Sequence, residues 1–202
     1  MSVPWPASHA TNDIAICLVE TANQSLSTPS GWNDVYTPTG SGNTRLHAFW
    51  KRATSGAESD CAIGDSGDHQ IARIVTYRNC VTSGSPIDAV TQKQASGNYT
   101  FTFDLHDAAQ AGNEVLLAAA CSLPDSTTSN TRYGRNNSTG FTSITEIVDN
   151  STSSGDGGGI SAHKALASSA NMLTDGYVFI ITITGGGTNT EYWEGILVSF
   201  LR

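Results

Sequence analysis

Residues 62–70, AIGDSGDHQ, contain Gly64-Asp65-Ser66-Gly67, a spelling that can present a nucleophilic serine for acyl transfer. That chemistry needs a histidine base and an orienting carboxylate brought to the serine from elsewhere in the chain. Ser66 comes early, with only His9 and His47 upstream, and neither stands in the setting of a catalytic histidine. Asp68-His69 follows where the protease pattern continues Gly-Pro, and Asp68 also stands where the second glycine of a Gly-x-Ser-x-Gly elbow belongs. Asp, Ser and Gly between two apolar segments are also the ordinary vocabulary of a turn. The motif is therefore read as a turn, with no catalytic residue assigned.

Metal chemistry is the next reading of the same segment. Asp65, Asp68 and His69 carry hard or borderline ligands, and the downstream segment DNSTSSGDGGG adds Asp149 and Asp156. Calcium requires six to eight oxygens from a spaced loop, and no D-x-D-x-D-G series is present. These carboxylates are read as solvated loop residues, and no metal or cofactor is expected. The five histidines (His9, His47, His69, His106, His163) are scattered, without a helical i, i+4 pair. Gly157-Gly158-Gly159 lacks the Lys-Ser/Thr of a phosphate loop. Sugar could stack on aromatic residues near turns: Trp5, Trp32, Tyr36, Tyr133 and Trp193. Trp50 and Trp193 are read as core or edge packing. Trp5, between Pro4 and Pro6, is expected outside the core, at an oligomer or partner contact.

The elements that would position these residues are strands. Ser, Thr and Gly make up a third of the 202 residues, while charged residues are only 14%. Such a composition suits strands, turns and loops rather than helical surfaces. Residues 13–20, DIAICLVE, are apolar on both faces, which predicts a central strand. Residues 44–53, TRLHAFWKRA, alternate, with Leu46, Ala48 and Trp50 on one face and Arg45, His47, Phe49 and Lys51 on the other. A short strand is expected at 32–36. Further strands are expected at 69–81, 98–105, 141–148, 160–166, 177–184 and 192–201. VLLAAAC at 115–121 has helical propensity but is read as a buried strand from its length and flanks; 107–114 could form one helical turn. Residues 149–159, DNSTSSGDGGG, read as a long turn. About ten short strands without a repeat or linker predict a single β-sandwich or jelly-roll-like domain over 1–202, with a short N-terminal arm.

Charge and cysteines narrow the function classes. The net charge is −8, and Lys51-Arg52 is the largest basic cluster, so nucleic acid is not an expected partner. No run approaches the roughly 18 apolar residues of a membrane span, and the N-terminus lacks a basic region followed by an apolar stretch. The expected site of synthesis is therefore the cytosol, with release by lysis. Of the four cysteines, Cys17 and Cys121 lie in apolar runs and are expected as free buried thiols. Cys61 and Cys80 could bridge, but a reducing compartment argues against it.

Several blocks in order carry a resemblance. DIAICLVETANQSLSTPSGW, GNTRLHAFWKRATSGAES, GDHQIARIVTYRN and NSTGFTSITEIVDNSTSSGDGGGISAHKALASSANM resemble a poorly characterised family of tailed-bacteriophage virion structural proteins, over about residues 9–170. The sequence departs from the pattern with cysteine at 17, 61 and 80, and with Asn79 where a glycine commonly follows Tyr-Arg. The resemblance implies a non-enzymatic β module of the virion, in a tail or baseplate appendage or as a capsid decoration protein. It would pack as a homo-oligomer, of which a trimer is one form, against other phage structural proteins. The alternative is a lectin-like module at the tail tip that recognises a host-surface glycan. No catalytic residues come with the resemblance.

Overall fold

The computed structural model describes residues 1–96, 100–104, 114–122, 132–138, 141–151, 158–167, 178–184 and 192–202. In chain order the strands are β1 (Ser2–Val3), β2 (Ile14–Thr21), β3 (Asn33–Asp34), β4 (Arg45–Arg52), β5 (Cys61–Ala62), β6 (Gln70–Tyr77) and β7 (Ile87–Ser96). They continue as β8 (Thr100–Asp104), β9 (Glu114–Ser122), β10 (Arg132–Ser138), β11 (Phe141–Ser151), β12 (Gly158–Ala167), β13 (Val178–Thr184) and β14 (Tyr192–Phe200). The fold is all-β, and every pairing among the described residues is antiparallel. No helix among them is long and apolar enough to cross a membrane.

The strands form a four-stranded sheet, β3-β4-β2-β6, a five-stranded sheet, β11-β12-β9-β14-β7, a three-stranded sheet, β10-β13-β8, and the pair β1-β5. One core cluster joins the first two sheets. Ile14, Ile16 and Leu18 of β2, with Leu46 and Ala48 of β4, meet Leu116, Ala118 and Ala120 of β9 and Ile196, Val198 and Phe200 of β14. Tyr77 and Phe200 stack across this core with ring centroids 4.3 Å apart. Such a pair contributes about 1 kcal/mol beyond its buried area.

The apolar reading of both faces of β2 has its cause here. Ala15, Cys17 and Val19 point away from the first core into a second, with Val3, Trp5, Trp32, Phe49, Cys61, Ile63 and Ile74. The N-terminal arm and the loops thus roof the outer face of the four-stranded sheet. Met1 seals the roof: its amino group donates to the Ile63 carbonyl at 2.7 Å, and Ile63 N donates back to Met1 O at 2.8 Å. Trp5 corrects the sequence expectation. It is buried, 5.6 Å from Trp32 between ring centroids, with Lys51 Nζ 5.8 Å above its ring. The prolines beside it hold the arm extended so that it can lie along the sheet.

The apolar segments expected as strands are strands, including 115–121, which lies inside β9. All ten expected strands are present, and the described residues add four more. The additions are β7, β10 and the two-residue β1 and β5. β7 lies at the edge of its sheet, where polar residues such as Gln92 and Gln94 are tolerated and the alternation that marks a strand is lost. The turn expected over 149–159 is shorter, because Ser151 pairs with Gly159 at the ends of β11 and β12. Residues 107–113, the possible helical turn, lie outside the described residues. Asn79 adopts φ 61, the left-handed conformation that glycine takes freely and asparagine tolerates, so it preserves the turn a glycine would make.

Cys17, Cys61 and Cys80 are buried thiols, and Cys61 and Cys80 form no bridge. Cys17 and Cys61 instead share a hydrogen bond, which together with burial pushes the Cys17 thiol far above its usual range. Alkylation by iodoacetamide, mapped by peptide mass, is expected to spare Cys17 in the native chain and to modify it in guanidinium chloride. Rapid native alkylation would mean that the arm does not cover it.

Candidate functional site

The Gly64–Gly67 segment is a turn. Asp65 Oδ1 accepts from Gly67 N at 2.9 Å, and Gly67 has φ 85. Ser66 Oγ donates to the backbone carbonyls of Asp68 at 3.2 Å and His69 at 3.5 Å, whereas a nucleophile must deliver that proton to a base. His69 is directed at Glu20, with Nε2 3.3 Å from Oε1, and its Nδ1 lies 3.5 Å from Asp68 Oδ1. Asp65, Asp68 and His69 do not converge: no group of three His, Cys, Asp or Glu suited to a metal ion occurs among the described residues. Asp156 and His106 lie outside the described residues, and Asp149, Tyr133, Trp193 and Cys121 are described only as strand positions.

Two glutamates on facing sheets carry buried carboxylates instead. Glu20 ends the inward series Ile14, Ile16, Leu18 on β2, and Glu194 begins the inward series Ile196, Val198, Phe200 on β14. Both are fully buried. Glu194 reaches across to the segment before β4. Its Oε1 accepts from Thr39 N at 3.1 Å, from Gly40 N at 3.3 Å and from Gln92 Nε2, and its Oε2 accepts from Leu46 N at 2.8 Å. Glu20 Oε1 accepts from Thr44 Oγ1 at 3.0 Å, while Oε2 is buried without a hydrogen-bond partner among the described residues. Strand parity predicts both inward positions, since residues two apart share a face; a carboxylate on an otherwise apolar inner face was the signal available.

Burial pushes Glu20 above the ordinary value of 4.5, against the hydrogen bonds and charge of His69 and the Thr44 hydroxyl; Asp68 adds a further push upward. Between the ordinary and the raised value the folded chain therefore holds a proton that the unfolded chain has released. Stability from this group is complete below the ordinary glutamate value and is lost as pH rises through the raised one. Glu20→Gln is expected to flatten that slope and to leave the chain about 1 kcal/mol more stable at neutral pH. Urea midpoints measured at acid and neutral pH check this. A loss at neutral pH would show that the pairing with His69 outweighs the cost of burial.

Beside the Glu194 anchor lies a polar groove of about 450 Å³, between residues 25–28 and 34–38 and the start of β4. Asp34, Tyr36, Arg45 and His47 line it, together with the hydroxyls of Ser25, Ser27, Thr28 and Thr37. Thr28 Oγ1 donates to Asp34 at 2.9 Å, and Arg45 Nε donates to Asn23 Oδ1 at 3.3 Å. Tyr36 donates to the Leu46 carbonyl, and burial followed by the Glu194 charge pushes its phenol well above the usual range. Burial lowers the His47 ring below its ordinary value, against the Gln24 carbonyl 3.0 Å from its Nε2. Of the turn aromatics read as sugar platforms, the structure places Tyr36 in this groove and buries Trp5 and Trp32 in the second core. Composition gave no sign of the groove, because it exists only where two loops meet β4.

No protein-family model, no curated protein and no solved structure matches this chain.

Proposed function

We propose that the chain is a non-enzymatic structural component of a tailed-bacteriophage particle, an all-β module at the virion surface that packs as a homo-oligomer. It would serve in a tail or baseplate appendage or as a capsid decoration protein. The observation that carries this reading is the use made of the interior polar groups. Glu194 fastens residues 39–46 to the opposite sheet, and Asp13 accepts from Ala10 N at 2.9 Å and from Arg78 Nε at 3.2 Å. These groups brace loops against sheets, as a module bearing repeated contacts requires. The ordered sequence blocks and the low-charge hydroxyl surface support the same reading. Immunogold labelling of purified particles tests it, with label expected on the head surface or at the tail. Absence of label on intact particles would count against a surface position.

The polar groove favours a second reading, a lectin-like module that contacts host-surface glycan. Its residues combine hydroxyls, a carboxylate, a guanidinium and an aromatic ring, which is the equipment of a site for a small polar ligand.

A further inference from the structure

We propose that the groove between residues 25–28, residues 34–38 and β4 binds an uncharged hexopyranose unit of a polysaccharide, with Asp34 and Arg45 as its polar clamp. This rests on the glycan-binding reading of the same site and assigns the ligand class and the residues.

The size, the wall chemistry and the charge agree. A volume of about 450 Å³ falls within the range of small-ligand sites. Asp34 is exposed at the groove and, among the described residues, takes only the Thr28 hydroxyl, 2.9 Å from each of its oxygens. An ionised carboxylate has about four acceptor positions, so it can still receive ligand hydroxyls. Arg45 gives Nε to Asn23, Nη1 to Ser25 Oγ and Nη2 to the Thr39 carbonyl at 3.4 Å. A guanidinium has five N–H donors, so some remain for a ligand oxygen. Those fixed contacts also hold the fork in place before a ligand arrives, which reduces the ordering cost of binding.

The charge pattern selects the class. A ligand anion that pairs with Arg45 meets the Asp34 carboxylate in the same groove, and a cation meets the reverse. A sugar ring offers neutral hydroxyls that donate to Asp34 and accept from Arg45. Leu26, Tyr36 and Pro38 supply apolar surface for the C–H face of the ring. His47, buried and held toward its neutral form, adds no opposing charge.

Saturation-transfer NMR and calorimetry with maltotriose, galactobiose and chitobiose test the proposal on the full chain. Ser27→Trp fills the groove from an exposed position. Asp34→Asn keeps the shape and an acceptor for Thr28 but replaces half of the carboxylate by a donor. At least one of the three sugars is expected to bind the parent chain. Both variants should weaken that sugar by about tenfold or more at unchanged Tm. Binding of equal strength in both variants would overturn the groove while leaving a glycan-binding module in place. No binding of any of the three would overturn the groove and the glycan reading together. Neither result bears on particle membership, which labelling tests separately.

Discussion

Replacing Glu194 by alanine is expected to destabilise the chain by about 3–4 kcal/mol, since an ionised acceptor contributes roughly 1.5–3 kcal/mol per hydrogen bond and stranded buried donors cost about 1–3 each. The carboxylate holds Thr39 N, Gly40 N, Gln92 Nε2 and Leu46 N. The Leu46 amide is the costly one, because Leu46 is fully buried and a truncated side chain leaves that N–H facing the inter-sheet core. Thr39 and Gly40 lie nearer solvent and regain part of their loss from water. Glu194→Gln keeps one acceptor oxygen and brings an NH₂ toward a row of donors, so about half the loss is expected. Urea unfolding reads both values as a shift in midpoint at unchanged m. Amide hydrogen exchange at Leu46 should accelerate in the alanine variant. A loss below about 1 kcal/mol, smaller than one such charged hydrogen bond, would mean that residues 39–46 are held by something other than Glu194.

Gly42→Ala is the second large effect, at about 3 kcal/mol from left-handed strain and overpacking together. Gly42 has φ 52, and a Cβ there would sit 2.1 Å from the Tyr192 ring on β14. The ring or the strap would have to move, and the strap is the segment that Glu194 pins. Gly31→Ala supplies the comparison. Gly31 has φ 79 but nothing within 4 Å of its added Cβ, so only the backbone term of about 1 kcal/mol applies. Thermal or urea unfolding of the two variants should therefore separate them by about 2 kcal/mol, the overpacking part alone. Equal losses would show that Tyr192 does not press on the strap.

How much of this was legible follows from where each signal resides. Residues 14–19 alternate between two cores, and the unbroken apolar run of β2 records both. VLLAAAC reads as a strand because Leu116, Ala118 and Ala120 fill one core while Val115 is buried on the other face. β10, with the sequence RYGRNNS, carries no such alternation, and its pairing with β13 comes from tertiary neighbours rather than local pattern. Trp5 was misplaced because a proline-flanked tryptophan reads as a surface anchor until the sheet it roofs is known. The GDSG turn was legible from its turn residues. The two buried glutamates were legible only by extending strand parity one step past the apolar run. Nothing local in the sequence joins Asp34 to Arg45, since the groove is made by packing.

Copy number in the particle bears most directly on the proposed function. Under that proposal, quantitative mass spectrometry of gradient-purified phage particles should find the chain in many copies at a fixed ratio to the major structural proteins. Its absence from purified particles that are otherwise complete would contradict the account.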